Sequence, residues 1–198
     1  DYGLMRRTLF KISQHDQMDL GIIATGMHLD PRFGQTVHEI ERDGFRIAGR
    51  IETDLGSSES FMARAIADTV RGCCDILETE RPDILLLLGD RGEMLAGAIA
   101  ALHLNIPIAH IHGGERSGTV DEPVRHAISK LAHIHLTATT DAAERLVKMG
   151  EHSDNVYCLG APGLDGLQAD AVFSKEQLLK KSGIPDGLPI ALMVFHPV

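Results

Sequence analysis

The sequence predicts an α/β fold, a Rossmann-like parallel β-sheet with helices on both faces. Strand-like apolar runs alternate with longer helical stretches along the chain. Such alternation is typical of parallel strands joined by right-handed helical crossovers. The run Ile84 to Leu88 is apolar without interruption, as expected of a parallel strand that is buried on both faces.

The elements follow from the spacing of apolar residues. Strands are predicted at seven runs: Leu20 to Thr25, Phe45 to Ile51, Asp83 to Gly89, Pro107 to Ile111, His133 to Thr139, Asn155 to Leu159 and Ile190 to Phe195. Helices are predicted most clearly at Ser57 to Glu80, Glu93 to Leu104, Glu122 to Ala132 and Thr140 to Met149. In the third helix, apolar residues fall on one face at helical spacing.

The two ends of the chain do not follow the strand–helix alternation expected of a complete sheet domain. The opening residues, from Leu4 to Ile12, predict a helix with no strand before it. After the Pro/Gly-rich segment 183–189, the last apolar run leads to Val198. We therefore expect residues 1–182 to form a Rossmann-like domain whose first strand is missing. Residues 183–198 are expected to be a linker and the first strand of an absent second domain.

Composition excludes several classes of protein. The chain has 198 residues, of which 43% are hydrophobic, enough for a sizeable core. Its 19 Lys and Arg against 28 Asp and Glu give a net charge of −9, which disfavours nucleic acid as a partner. No apolar run approaches the roughly 20 residues of a membrane span, and no signal peptide is evident. Three Cys without metal-ligand spacing suit a cytoplasmic protein.

Candidate functional residues follow the predicted strands, because ligands of open parallel sheets bind beyond the carboxyl ends of the strands. Asp90 follows the most apolar strand, where it could act as a general acid or base or cap the helix near Gly92. His112 ends another strand, and a functional and a structural role are equally compatible with that position. The two following glycines, Gly113 and Gly114, allow close approach of the backbone to a ligand.

Other residues allow simpler interpretations. Asp121 and Glu122 precede Pro123, so one of them is expected to cap the next helix. His133 and His135, like most of the histidines, are interpreted as surface or satisfied interior groups. The chain has no Walker A, Gly-x-Gly-x-x-Gly or Gly-x-Ser-x-Gly motif. No His-x3-His helix or Cys/His cluster points to a metal, and we expect neither a metal nor a cofactor.

Seven motifs occur in a fixed order along the chain, and together they point to one protein family. These are Gly26-Met-His-Leu29, Gly89-Asp-Arg91, His110-Ile-His-Gly-Gly-Glu115, Ser117-Gly-Thr-Val-Asp-Glu122, Arg125-His-Ala-Ile-Ser-Lys-Leu131, Gly160-Ala-Pro-Gly-Leu-Asp165 and His196-Pro-Val198. The chain resembles the hydrolysing UDP-N-acetylglucosamine 2-epimerases of sialic and legionaminic acid biosynthesis. The resemblance implies the first half of a glycosyltransferase-B type fold, in which the active site lies between two Rossmann-like halves. A chain without the second half is expected to be inactive alone.

The resemblance also implies a reaction and a set of residues. UDP would be eliminated across C1 and C2 to a glycal, and hydration would give free N-acetylmannosamine. The acid and base groups correspond to Asp90 and Asp121, with Glu122 as an adjacent candidate. The family often has a Glu where this sequence has His112, so either His112 or Glu115 is the third candidate.

Further positions are implied to contact substrate. His28 and His196 match histidines that line the cleft, and Gly113, Gly114 and Ser117 lie within the matched motifs. Arg91 and Arg125 have weaker claims, and Arg125 is expected to pair with a helix-turn neighbour such as Asp121.

Two alternatives remain open from the sequence. One is a non-hydrolysing epimerase, which returns UDP to the sugar, and the other is an inert sugar-nucleotide binding module. The sequence does not decide between UDP-N-acetylglucosamine and its 4-acetamido-6-deoxy analogue as substrate. The resemblance implies a homo-oligomer, either a dimer or a tetramer.

Overall fold

The strands are short and parallel, and they form two sheets. The computed structural model describes residues 2–53, 56, 60–187 and 189–194. One sheet consists of β1 (Ile22–Thr25) and β2 (Ile47–Ile51); the other has the order β3 (Leu85–Leu88), β4 (Ile108–Ile111), β5 (Ile134–Thr137) and β6 (Val156–Cys158). All these pairs are parallel, which confirms the predicted fold class. The expected single sheet is not found, because β1 and β3 do not pair with each other in the described part of the chain.

Seven α-helices accompany these strands in the described residues: α1 (Tyr2–Ser13), α2 (Val37–Arg42), α3 (Phe61–Glu80), α4 (Gly92–His103), α5 (Asp121–Leu131), α6 (Thr140–Lys148) and α7 (Lys175–Ser182). The four helices predicted most clearly and the opening helix are confirmed. Residues 57–59, which the prediction included in α3, lie outside the described residues. The short helices α2 and α7 lie in gaps between predicted strands, where helices were expected without stated bounds.

Strand β3 is covered on both of its faces, as its uninterrupted apolar sequence predicts. Leu87 belongs to a core with Ile108, Ile128 and residues of α3 and α4. Leu88 instead packs with Met5 of α1 and with Ile111. Successive strand residues point to opposite faces, so helices pack on both sides of the four-stranded sheet.

Small side chains let helix α4 pack tightly between the sheet and helix α3. Ala96, Ala98 and Ala101 are completely buried, and a Cβ on Gly97 would lie 3.3 Å from Leu87. Cys73 of α3 is buried in the same core, as expected of a small apolar residue, and burial raises the pKa of its thiol to about 12. This rigid packing fixes the start of α4, which directly follows the candidate residue Asp90.

Helix α1 connects the two sheets. Its Tyr2 packs with Ile40 and Phe45 beside the two-stranded sheet, whereas Met5 packs against the four-stranded sheet. Leu9 contacts both clusters. The two sheets therefore share one helical cover although their edge strands are not paired.

The predicted last strand is not found in the described residues. Residues 189–194 form no regular element, and Phe195 lies outside the described part of the chain. Leu192 and Met193 are 89% and 87% exposed. A strand requires a hydrogen-bonded neighbour, and residues 189–194 pair with none of the described strands.

Candidate active site

The candidate residues lie at the carboxyl edge of the two sheets. His28 ends a short 3-10 helix, Gly26–His28, that directly follows β1. Asp90 and Arg91 follow β3, and His112 follows β4. Because the strands are parallel within each sheet, the ends of β3 and β4 share one edge.

An ion pair joins Asp90 to helix α5. A terminal nitrogen of Arg125 donates to the Asp90 carboxylate, and the other donates to the backbone carbonyl of Glu115 at 3.1 Å. Arg125 is only 8% exposed, and burial lowers its pKa. One side chain therefore ties together the end of β3, the loop after β4 and the first turns of α5.

Two expectations from the sequence are corrected by this ion pair. Arg125 was expected to pair with Asp121, but it pairs with Asp90. Asp90 was a possible helix cap, but the N-cap residue of α4 is Arg91 and no side chain caps that end. The reason is that Arg125 points from α5 towards the end of β3, where the Asp90 carboxylate satisfies its charge.

His112 and Glu115 form a second polar pair. His112 has a φ of +62°, a left-handed backbone conformation that residues other than glycine rarely adopt. Its Nδ1 lies 2.6 Å from Glu115 Oε1. A carboxylate that holds one ring nitrogen orients the imidazole and leaves Nε2 for proton transfer. Such pairs are typical of general acid–base sites.

His110, which the sequence predicts to be a structural histidine, supports the backbone at the end of β3. It is completely buried, its Nε2 lies 2.7 Å from the carbonyl oxygen of Gly89, and its Nδ1 lies 3.1 Å from Ser129 Oγ. Burial is the main cause that lowers the pKa of His110 to about 4. In the neutral ring, Nε2–H donates to the Gly89 carbonyl oxygen, and Nδ1 carries no proton. His110 thereby fixes the backbone immediately before Asp90.

The first turn of α5 carries two further carboxylates. Glu122 accepts a hydrogen bond from the backbone N–H of Ser117 at 2.8 Å, and Asp121 accepts one from the Thr119 hydroxyl at 2.8 Å. The N-cap residue is Val120, without a side-chain cap. The expectation that Asp121 or Glu122 caps the helix is therefore wrong. Asp121 lies one helical turn before Arg125, on the same face of α5.

Internal packing leaves no room for a side chain at Gly113 or Gly114. A Cβ on Gly113 would lie 2.9 Å from Ser129 Oγ. Gly114 has a φ of +79°, and a Cβ there would overlap the Ala142 carbonyl. The space that these glycines leave is thus filled by protein atoms, and substrate binding by their backbone stays a prediction.

The remaining candidates surround this core of the site. His28 Nδ1 lies 2.6 Å from Thr36 Oγ1, and burial lowers the pKa of His28. Arg91 Nε lies 3.4 Å from Glu93 Oε2. Ser117 Oγ is buried without a hydrogen-bond partner in the described structure. His196 lies outside the described residues.

Neither a metal-binding cluster nor a membrane-spanning helix is found in the described part of the chain. No group of three or more His, Cys, Asp or Glu side chains is arranged to hold a metal ion there. Within the same residues, no helix has both the length and the apolar character that crossing a membrane requires.

Two relatives similar to this chain are named as hydrolysing 2-epimerases. A UDP-N,N'-diacetylbacillosamine 2-epimerase (hydrolyzing) from Legionella pneumophila is 50% identical over 199 residues, which span the whole chain and 53% of that protein. A GDP/UDP-N,N'-diacetylbacillosamine 2-epimerase (hydrolyzing) from Campylobacter jejuni is 31% identical over 200 residues, 100% of this chain and 52% of that one. The chain spans about half the length of the curated relatives it matches.

The solved structures support the fold, and the family model supports the family. The crystal structure of UDP-GlcNAc 2-epimerase from Neisseria meningitidis bound to UDP-GlcNAc matches with a TM-score of 0.75 at 20% identity. The match covers 93% of this chain and 52% of that one, in agreement with half of a glycosyltransferase-B type fold. The model of the family described as UDP-N-acetylglucosamine 2-epimerase matches residues 11–198. The chain belongs to the UDP-N-acetylglucosamine 2-epimerase family.

Proposed function

We propose that this chain is the N-terminal half of a hydrolysing UDP-sugar 2-epimerase. The observation that carries the proposal is the double contact of Arg125, which pairs with Asp90 and binds the carbonyl of Glu115. It holds acid–base candidates from three separate chain segments at one sheet edge. The names of the relatives from Legionella and Campylobacter support the hydrolysing branch over the non-hydrolysing one.

The proposed reaction needs two proton transfers on one hexose. A base removes the C2 proton while UDP leaves from C1, which gives a C1=C2 double bond. Water then adds its oxygen to C1, and a proton returns to C2 from the opposite face. The products are UDP and the free sugar with inverted C2. One group must therefore accept the C2 proton and another must return it or activate water.

The geometry suggests how these roles divide. His112 is the proton carrier, because Glu115 holds its Nδ1 and Nε2 can exchange a proton. Asp90 is held by Arg125, which fixes the orientation of its carboxylate beside the site. A carboxylate oriented in this way can face the positive charge that develops at C1 as UDP departs. Asp121, one turn from Arg125, and Glu122 are the candidates for activating water.

The substrate that we propose is a UDP-linked 2-acetamido sugar, and the 4-acetamido-6-deoxy form is favoured. Support comes from the relative from Legionella, whose name gives the N,N'-diacetyl sugar and which is 50% identical over the whole chain. The second candidate is UDP-N-acetylglucosamine, the compound bound in the solved structure from Neisseria.

The proposal includes the architecture of the longer protein. Residues 183–198 are proposed to begin a second domain, because the apolar side chains Leu192 and Met193 are almost fully exposed in this chain. A further strand before α1 is proposed to fill the gap between β1 and β3, since α1 already packs on both sheets. We also propose that the longer protein is a cytoplasmic dimer or tetramer. The three free cysteines are compatible with the cytoplasm, and light scattering measures the assembly.

The test uses the longer protein that contains this chain. Each UDP sugar is supplied, UDP release is followed, and the sugar product is identified by NMR. We expect UDP release with a free sugar of inverted C2. Asp90→Asn should lose at least about 100-fold in kcat, the scale of one removed electrostatic group, with an unchanged circular dichroism spectrum.

Asp83→Asn is the matched control, because Asp83 is an exposed carboxylate just before β3, at the other end of the same strand. Its turnover should equal that of the wild type. A product that keeps UDP on the epimerised sugar would establish the non-hydrolysing reaction instead. Binding without any turnover would establish the inert module, and normal turnover of Asp90→Asn would remove Asp90 from the mechanism.

A further inference from the structure

A pocket of about 240 Å³ lies beside the candidate site. Its walls are mostly apolar side chains: Met27, Phe33, Phe61, Met62, Ala65 and Ile66. They come from the residues that follow β1 and from the first two turns of α3. The pocket therefore belongs to the carboxyl edge at which open α/β sheets bind ligands.

Arg91 and Glu93 form the polar side of the same pocket. Arg91 directly follows Asp90, so the pocket continues from the proposed reaction site. The two side chains lie within 3.4 Å of each other, and their charges cancel. An occupant should therefore be uncharged, mainly apolar, and able to use one donor and one acceptor.

We propose that this pocket binds the 4-acetamido and 6-methyl substituents of a UDP-linked 2,4-diacetamido-2,4,6-trideoxy sugar. The inference rests on the proposed function and adds the structural basis of its substrate preference. An acetamido group has one N–H and one C=O, which match the acceptor of Glu93 and the donors of Arg91. Its methyl group and the C6 methyl match the apolar walls.

The alternative substrate fits this pocket less well. UDP-N-acetylglucosamine carries a hydroxyl at C4 and a hydroxymethyl group at C6. Placing these hydroxyls against methionine, phenylalanine and isoleucine side chains removes water without supplying hydrogen bonds, which is unfavourable. The pocket volume is also below the range of about 300–1,000 Å³ typical of whole ligands, so it suits one end of a sugar.

Two pocket residues can be changed with little effect on folding. Met62 is 47% exposed and Phe33 is 51% exposed, so neither is part of the buried core. Met18 is a matched control, because it is 53% exposed and precedes β1, at the opposite edge. The variants are Met62→Ala, Phe33→Ala and Met18→Ala in the longer protein that contains this chain.

The experiment measures the Kd of each UDP sugar by calorimetry and turnover of each by UDP release. The wild type should bind the diacetamido sugar more tightly. Met62→Ala and Phe33→Ala should each weaken its binding by at least about tenfold, the scale of a lost apolar contact in a specificity pocket. Binding of UDP-N-acetylglucosamine should change less than about threefold, and Met18→Ala should change neither.

Each other result has a defined meaning. Equal wild-type affinities for the two sugars, or equal losses for both sugars in the pocket variants, would overturn the pocket assignment. A pocket variant that behaves like Met18→Ala would overturn it too. Absence of UDP release from the wild type would refute the proposed function, while the Kd values would still decide the pocket.

Discussion

The buried imidazole of His110 should make the folded chain less stable in mild acid. The ordinary pKa of 6.5 falls to about 4 in the folded state, mainly because of burial. Between these two values, the unfolded chain binds a proton that the folded chain does not. The contribution of His110 to stability is thus complete above about pH 6.5 and is lost as the pH falls towards 4.

The size of this effect follows from the two pKa values. The difference between 6.5 and about 4 corresponds to about 3 kcal/mol at most, of which most is lost at pH 4.5. His110→Gln removes the titrating ring but keeps an amide N–H that can donate to the Gly89 carbonyl. The variant should be less stable than the wild type at pH 7.5, and its stability should depend less on pH.

The assay is urea unfolding of the 198-residue chain at pH 7.5 and pH 4.5, followed by far-ultraviolet circular dichroism. The wild type should lose about 2–3 kcal/mol more than His110→Gln between the two pH values. Other histidines whose pKa burial lowers, such as His28 and His135, titrate in both proteins and cancel in the comparison. His38→Gln, at an exposed position, is the control. Equal losses in the wild type and His110→Gln would refute the reasoning.

Two further predictions concern the loop after β4 and its anchor. Arg125→Met should cost about 3 kcal/mol because it leaves the Asp90 carboxylate unpaired, and the double variant with Asp90→Asn should cost less than the sum of the two single changes. Additive costs in that unfolding cycle would contradict a coupled pair. Gly114→Ala should destabilise the chain by more than about 1 kcal/mol, from its left-handed backbone alone. Gly118→Ala, where a Cβ meets nothing within 4 Å, should be nearly neutral, and equal thermal midpoints would contradict the packing account.

Local sequence pattern was enough to find the strands and the long helices. The β3 run is apolar throughout because α1 packs on one face of the strand and other core residues pack on the other. Helix α2 has six residues, too few for a periodic pattern to be recognised. The absence of pairing between β1 and β3 depends on tertiary arrangement, which no local pattern contains.

The site shows the same division between local and distant information. Motif positions placed Asp90 and His112 at strand ends, because a strand followed by polar residues is visible in the sequence. The pairing of Arg125 with Asp90 joins residues 35 positions apart, and the sequence favoured a nearer partner, Asp121. The support that His110 gives to Gly89 depends on the register of β3 and β4, so the sequence could not assign it.

The hydrogen isotope bound to C2 of the released sugar tests the proposed chemistry most directly. The longer protein that contains this chain is supplied with the diacetamido UDP sugar in D₂O, and the released sugar is examined by proton NMR. The account predicts one deuterium at C2 and inverted configuration there, because the site removes one proton and solvent returns another. A released sugar with protium at C2 and unchanged configuration would show simple hydrolysis at C1 and contradict the account.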